Sequence, residues 1–238
     1  MIEINTCNFK THHDICATFV FVSDLHEADH SPVLEFIQSC GADGILVGGD
    51  YIHNDKAFEK GFEFLRQASK LLPTFCVLGN HEMRLEDSIR KDTLNTGAVL
   101  LDDASVSFKN INICGLTTGF RPYYSKNVRA STPPPNLEKL AEFSVLPGFK
   151  LLLSHHPEYY PRYIRDTDVD LTLSGHAHGG QWRFFNRGFF APGQGIFPKY
   201  TSGLYENRLL VSRGIGNPHL IPRINNSPEI IILIISKS

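Results

Sequence analysis

What this chain lacks narrows its class before any motif is read. Its longest apolar run, Ile230 to Ile235, falls far short of the ~20 residues that a membrane-spanning helix requires. The opening Met1-Ile2-Glu3-Ile4-Asn5-Thr6 has no basic stretch leading into an apolar one, so nothing in it resembles an export signal. A cytoplasmic protein is expected, with peripheral association with the membrane left open. Cysteine is scarce: Cys7, Cys16, Cys40, Cys76 and Cys114 are odd in number, far apart and without a Cys-X-X-Cys pair. That usage excludes a disulfide framework and fits reduced thiols. Excess positive charge is missing too, and a formal net charge of -2 argues against a nucleic-acid partner gripped by the whole surface. Neither an internal repeat nor a low-complexity tract is found, so a repeat array is not expected.

Apolar material is ample. A 42% hydrophobic share over 238 residues suffices for one large α/β domain, expected to span residues 1–238. Apolar, β-branched runs bounded by turn residues at 17–23, 45–48, 74–79, 111–115, 150–154, 170–174, 209–212 and 229–236 predict strands. Helical patterns lie between the early ones. Pro32 opens a helix over 33–40 after a Ser31 cap, and residues 55–72 place Phe58, Phe62, Leu65 and Leu72 on one face. Strand then helix, repeated, implies parallel strands with right-handed crossovers, whereas the closely spaced strands between Ala98 and Gly115 read as antiparallel hairpins. The expected fold is α/β, a mixed β-sheet sandwich flanked by helices. Ser131-Thr132-Pro133-Pro134-Pro135 reads as a surface loop, because a domain boundary there would part residues that must meet.

Five short strings recur in order: Asp24-Leu25-His26, Gly49-Asp50, Gly79-Asn80-His81, Ser154-His155-His156-Pro157 and Gly175-His176-Ala177-His178. Most follow a predicted strand, and residues just beyond the carboxyl ends of parallel strands converge on one crevice. Carboxylates, an amide oxygen and imidazoles form the donor mixture that borderline divalent metals need. Asp, Asn and Gly are favoured in turns anyway, but turn chemistry does not explain five imidazoles at loop positions.

As a set, these strings resemble the calcineurin-like metallophosphoesterase superfamily, whose pattern is Asp-X-His, Gly-Asp, Gly-Asn-His-Asp/Glu, a later His and Gly-His-X-His. The resemblance runs from Asp24 to His178 and implies a four-layer α-β-β-α fold. Gly179-Gly180-Gln181, Ser212-Arg213-Gly214 and Asn226-Ser227-Pro228-Glu229-Ile230 resemble a bacterial branch that contains phosphodiesterases and a UDP-diacylglucosamine hydrolase. The resemblance implies that Asp24, His26, Asp50 and His178 hold one divalent transition-metal ion and that Asp50, Asn80, His155 and His176 hold a second. Manganese is the expected metal, with iron and zinc open. Two divalent cations set against two carboxylates, one amide and four neutral imidazoles leave about two positive charges uncompensated, which favours hydroxide and a phosphate oxygen. A hydroxide bridging the metals is implied as the nucleophile, with His81 near the leaving-group oxygen and Asp24 orienting it.

Substrate signals lie in two stretches. Residues 120–135 carry Arg121, Lys126, Arg129, Phe120, Tyr123 and Tyr124 and no acidic residue, and residues 182–200 carry Arg183, Arg187, Lys199 and several phenylalanines. A basic, aromatic loop beside a metal site suits an anionic ester, stacks a base or covers an acyl group, and the second stretch fits an apolar wall, a lid or a membrane-resting surface. A phosphodiester or pyrophosphate linkage in a small-molecule, nucleotide- or lipid-linked substrate is expected. Glu27-Ala28 and Gly115-Leu116-Thr117-Thr118 depart from the family pattern and weaken substrate assignment without touching a ligand. His12, His13, His30, His53 and His219 match no metal spacing, so solvated or structural roles are expected for them; His53, three past Asp50, is also a candidate pocket residue, and the role of His156 stays open. A binding scaffold without turnover and a nuclease are the alternatives.

Overall fold

The computed structural model describes residues 1–26, 28–53, 58–84, 88–119, 132–185, 187–217 and 222–238. In chain order the first half gives β1 (Glu3–Thr11), β2 (Cys16–Val22), α1 (Ser31–Ser39), β3 (Gly44–Val47), α2 (Glu59–Leu71), β4 (Thr74–Cys76), α3 (Ser88–Leu94) and β5 (Val99–Leu100). There follow β6 (Ala104–Phe108), β7 (Ile111–Leu116), α4 (Leu137–Ser144), β8 (Phe149–Ser154) and β9 (Leu171–Ser174). Four two-residue strands come next: β10 (Arg183–Phe184), β11 (Arg187–Gly188), β12 (Phe190–Ala191) and β13 (Gly195–Ile196). The chain ends in β14 (Gly203–Tyr205), β15 (Leu209–Val211) and β16 (Glu229–Lys237).

Alternation along the strands builds the layers. Phe19 and Phe21 of β2 join one apolar cluster while Val20 and Val22 join another, as a strand covered on both faces demands. The inner cluster brings Phe19, Phe21, Leu46 and Phe75 of one sheet against Ile113, Leu151, Leu153 and Leu171 of a second. On its outer face the first sheet packs on Val33 and Ile37 of α1 and on Phe62 and Leu65 of α2. The second sheet packs outward on Leu140 and Phe143 of α4. The order is therefore helix, sheet, sheet, helix, as expected. Helix α2 presents Phe62, Leu65 and Ala68 at three-residue spacing and stops at Leu72, whose extended backbone precedes Pro73.

The first sheet runs β1-β16-β2-β3-β4-β5 and the second β14-β15-β9-β8-β7-β6. Strands β2 to β5 are mutually parallel, as are β7, β8, β9 and β15. Their carboxyl ends are where the motif strings leave the sheets. Two differences from expectation follow from edges. Of the strands between Ala98 and Gly115, β6 and β7 form an antiparallel hairpin, whereas β5 pairs parallel with β4, so the chain changes sheets between 100 and 104. Strand β1, which the sequence pattern does not announce, pairs parallel with β16 from Glu3↔Glu229 to Thr11↔Lys237. Its outer residues are mostly exposed and polar, so it lacks the apolar run that marks the others. Helix α1 begins at Ser31, with His30 rather than Ser31 at the cap, and residues 54–57, the start of the pattern expected over 55–72, lie outside the described residues.

Phe21 is fully buried between the sheets. Phe21→Ala is expected to lower the unfolding free energy by about 3–5 kcal/mol, measured by urea denaturation; a loss below ~1 kcal/mol would contradict this packing.

Candidate metal centre

Past the strand ends the backbone adopts a conformation that side chains ordinarily avoid. Asp24 (φ 52), His26 (φ 49), Asp50 (φ 52), His176 (φ 63) and His178 (φ 45) are all left-handed. Each such residue costs on the order of 1–3 kcal/mol and persists only where its surroundings enforce it. Here the loops enforce one another. Asp24 N–H donates to Gly49 O at 3.0 Å, His26 N–H to Asp50 O at 3.2 Å, and Gly216 N–H to Asp24 O at 2.7 Å. The Asp24 carboxylate accepts from His176 N–H at 3.1 and 3.0 Å.

Asp50 is the most heavily bonded of these residues. Its N–H donates to Glu82 Oε2 at 2.9 Å, its Oδ1 accepts from His81 N–H at 2.8 Å, and its Oδ2 lies 3.2 Å from His155 Nε2. Gly79 must be glycine, since a Cβ there would stand 2.3 Å from Asp50 Oδ1. Glu82 was not singled out from the sequence, yet its buried carboxylate also accepts from Ile52 N–H at 3.0 Å and Gly79 N–H at 2.7 Å. Its place in the string Gly79-Asn80-His81-Glu82 was the available signal. Burial and the Asp50 charge push the Glu82 carboxyl up to about 8, against its backbone donors.

Four groups of donor atoms lie within 4.8 Å of one another among the described residues: Asp24, His26 and His178; Asp50, His155 and His176; His26, His53 and His81; and His156, Glu158 and His176. The first two consist of expected ligands. Asn80 sits between Gly79 and His81, whose backbones touch Asp50. Both ring nitrogens of His26 and the Asn80 Oδ1 are buried without a hydrogen-bond partner. Such atoms are costly unless something else binds them, and a cation coordinated by imidazole, carboxylate and amide oxygen fits. Burial holds His26 down at about 3 and keeps His176 and His178 well below the ordinary histidine range, so these rings are neutral. His155 differs: burial works against its charge, but Asp50 outweighs it and lifts the ring to about 10. Its Nδ1 is 2.8 Å from Gly48 O, which turns Nε2 inward.

All the expected ligands thus lie at one end of the two sheets, and His81 lies beside them. The His81 Nε2 is 3.9 Å from Asp50 Oδ2 and its Nδ1 is hydrogen bonded to the His53 carbonyl. That carbonyl, rather than Asp24, orients the ring; Asp24 makes no hydrogen bond to His81 and instead meets His176 and His178. The His53 ring stacks on His81 at 5.3 Å and meets His26 edge-on at 5.4 Å, so it borders the centre. His156 pairs with Glu158 at 3.0 Å and lies 4.0 Å from the His176 ring, and with these two it forms a donor group of its own. Arg223, also unforeseen, donates to Arg213 O at 2.8 Å and lies 3.4 Å from His178 Nδ1. Phe120, Arg121, Tyr123, Tyr124, Lys126, Arg129, Glu27 and His219 lie outside the described residues.

Comparison with known proteins agrees with this arrangement. A family model described as calcineurin-like phosphoesterase matches residues 17–180. Phosphodiesterase YaeI of Escherichia coli (strain K12) is 30% identical over 238 aligned residues, covering 90% of this chain and 80% of that protein. The UDP-2,3-diacylglucosamine pyrophosphatase LpxG of Chlamydia muridarum (strain MoPn / Nigg) is 32% identical over 150 residues, 58% of this chain and 42% of that protein. The chain spans about half the length of two Helicobacter pylori metallophosphoesterases that it also matches, 48% and 54%. Among solved structures, phosphopantetheinyl hydrolase from Mycobacterium tuberculosis aligns with a TM-score of 0.50 at 13% identity, over 87% of this chain and 91% of that one, a likeness of fold.

Replacing Glu82 by Gln turns one acceptor oxygen into a donor facing a backbone N–H. Glu82→Gln is expected to cost about 1–3 kcal/mol of stability, read by denaturant titration, and an unchanged midpoint would contradict its bracing role.

Proposed function

The chain belongs to the calcineurin-like phosphoesterase family, and we propose that it is a two-metal hydrolase of phosphodiester or pyrophosphate linkages in nucleotide- or lipid-linked substrates. The observation that carries this reading is the convergence of Asp24, His26, Asp50, His155, His176 and His178 from four separated loops into two adjoining donor groups. Asp24, His26, Asp50 and His178 would hold one divalent ion and Asp50, Asn80, His155 and His176 the other, Asp50 being shared. Manganese suits these donors, as do iron and zinc. When bound, such a pair supplies positive charge for a phosphoryl oxygen and makes water acidic enough to attack at neutral pH.

The chain's own residues do the rest. Asp50 fixes the loop of His81 through its Oδ1, and the His53 carbonyl takes the His81 Nδ1 proton into a hydrogen bond. His81 Nε2 is thereby turned toward the centre, where a proton held on it passes to the departing oxygen as the P–O bond breaks. Glu82 keeps the turns of Asp50 and Gly79 in register. The names of YaeI and LpxG support a diester or pyrophosphate over a simple monoester. The core shared by both sheets supports reading residues 1–238 as one domain. No helix among the described residues is long and apolar enough to cross a membrane.

Turnover of an aryl phosphodiester with added manganese tests the reading. Chelation and Asp50→Ala should abolish it, and His81→Gln should lower kcat by about 10²–10⁴-fold while metal content is kept. Activity indifferent to chelator and to Asp50 would end the proposal. The His155 proton supplies a further check. In the metal-free protein His155 stays protonated up to about 10, so a metal must displace that proton, and affinity should fall as pH falls, by roughly tenfold per unit for one proton. Calorimetry in buffers of different ionisation enthalpy should show proton release; heats independent of buffer would contradict it.

A further inference from the structure

Directly after His178 the chain turns outward into two small hairpins that the hydrolytic centre does not use. β10 pairs with β11, setting Phe184 opposite Arg187, and β12 pairs with β13, setting Phe190 opposite Ile196. Phe185 is 101% exposed, Phe197 76%, Ile196 64%, Phe184 52% and Phe190 45%. Aromatic contacts run from one hairpin to the other to make a strip, since Trp182, just before β10, stacks on Phe189 at 5.7 Å and Phe189 meets Phe197, just after β13, edge-on at 5.6 Å. A contiguous apolar surface of this kind marks an interaction site.

Charge identifies the occupant. Between Asp170 and Glu206 the sequence has no acidic residue, Arg187 is exposed, and exposed Lys199 shares Glu206 with Arg165, a cluster with one positive charge in excess. Aromatic side chains projecting beside cations, with the carboxylate at their margin, Glu206, already paired with Arg165 and Lys199, form the composition that enters the interface of an anionic bilayer. A second copy of the chain fits less well, because a two-fold contact through this strip would bring cation against cation. We propose that the hairpins dock the protein on an anionic lipid bilayer, with Phe184, Phe185, Phe190, Ile196 and Phe197 entering the headgroup region.

The strip is fixed to the centre without slack. A Cβ on Gly180 would lie 2.3 Å from Gly188 Cα, Phe189 N–H donates to Gly180 O at 3.0 Å, and buried Arg183 donates to Gly179 O at 2.9 Å. Docking therefore sets the loop of His176 and His178 at a defined orientation to the membrane. That placement serves a lipid-linked phosphoester, but the docking itself does not depend on turnover.

The full chain should co-sediment with vesicles of phosphatidylglycerol and phosphatidylcholine, bind phosphatidylcholine vesicles more weakly, and release from the anionic vesicles as salt rises. Combining Phe184→Ser, Phe185→Ser and Phe197→Ser should cut partitioning by about tenfold or more with an unchanged melting temperature. Phe185→Ser alone, at a wholly exposed position, should cut it by roughly threefold and guards against a folding defect in the triple variant. Wild-type protein left in the supernatant, or a triple variant that partitions like wild type, would overturn the proposal. So would a concentration-dependent dimer that the triple variant abolishes, since a second copy would then cover the strip.

Discussion

Asp50 ties together loops that the sequence keeps far apart. Its N–H is held by Glu82, its carbonyl by His26, one carboxylate oxygen by the His81 backbone and the other by the His155 ring. Four strand ends, from β2, β3, β4 and β8, are thereby registered to one residue before any ion is considered. Asp50 makes these bonds from a left-handed turn, and that turn is kept by the partners it binds. Burial opposes charge on the group, but His155 and His81 hold it well below the usual carboxylate range.

The two sheets exist, in functional terms, to hold those ends still. Parallel strands β2 to β4 deliver Asp24, Asp50 and Asn80, and parallel β8 and β9 deliver His155 and His176. The inner apolar cluster joins the sheets behind them, so strain stored in the loops is set against burial in the core. Neutral imidazoles at His26, His176 and His178 follow from the same burial. A buried, imidazole-rich cluster with two carboxylates is poorly satisfied by protein partners alone, which is the physical case for cations there.

Much of this was legible because the chemistry sits where strand patterns end. Asp24, Asp50, Asn80, His155 and His176 each follow an apolar run, and glycines beside them signal tight turns. The sandwich was legible from alternation in residues such as Phe19 to Val22. β1 was not, because an edge strand with a solvated face carries no apolar run. Nor was the bracing by Glu82 and Arg223, since a carboxylate or guanidinium that binds backbone groups leaves no spacing pattern. The orientation of His81 was misassigned to Asp24 because a carbonyl such as that of His53 is invisible to any reading of side chains. The aromatic stretch after His178 was visible as composition, while its division into two exposed hairpins depended on backbone pairing with the Gly179-Gly180 turn.

The central claim is that Asp50 is shared between two cations. Crystals grown with manganese and measured at its absorption edge address this directly. Two anomalous peaks about 3.5–4 Å apart, one on either side of the Asp50 carboxylate, are expected. A single peak, or peaks out of reach of Asp50, would contradict it.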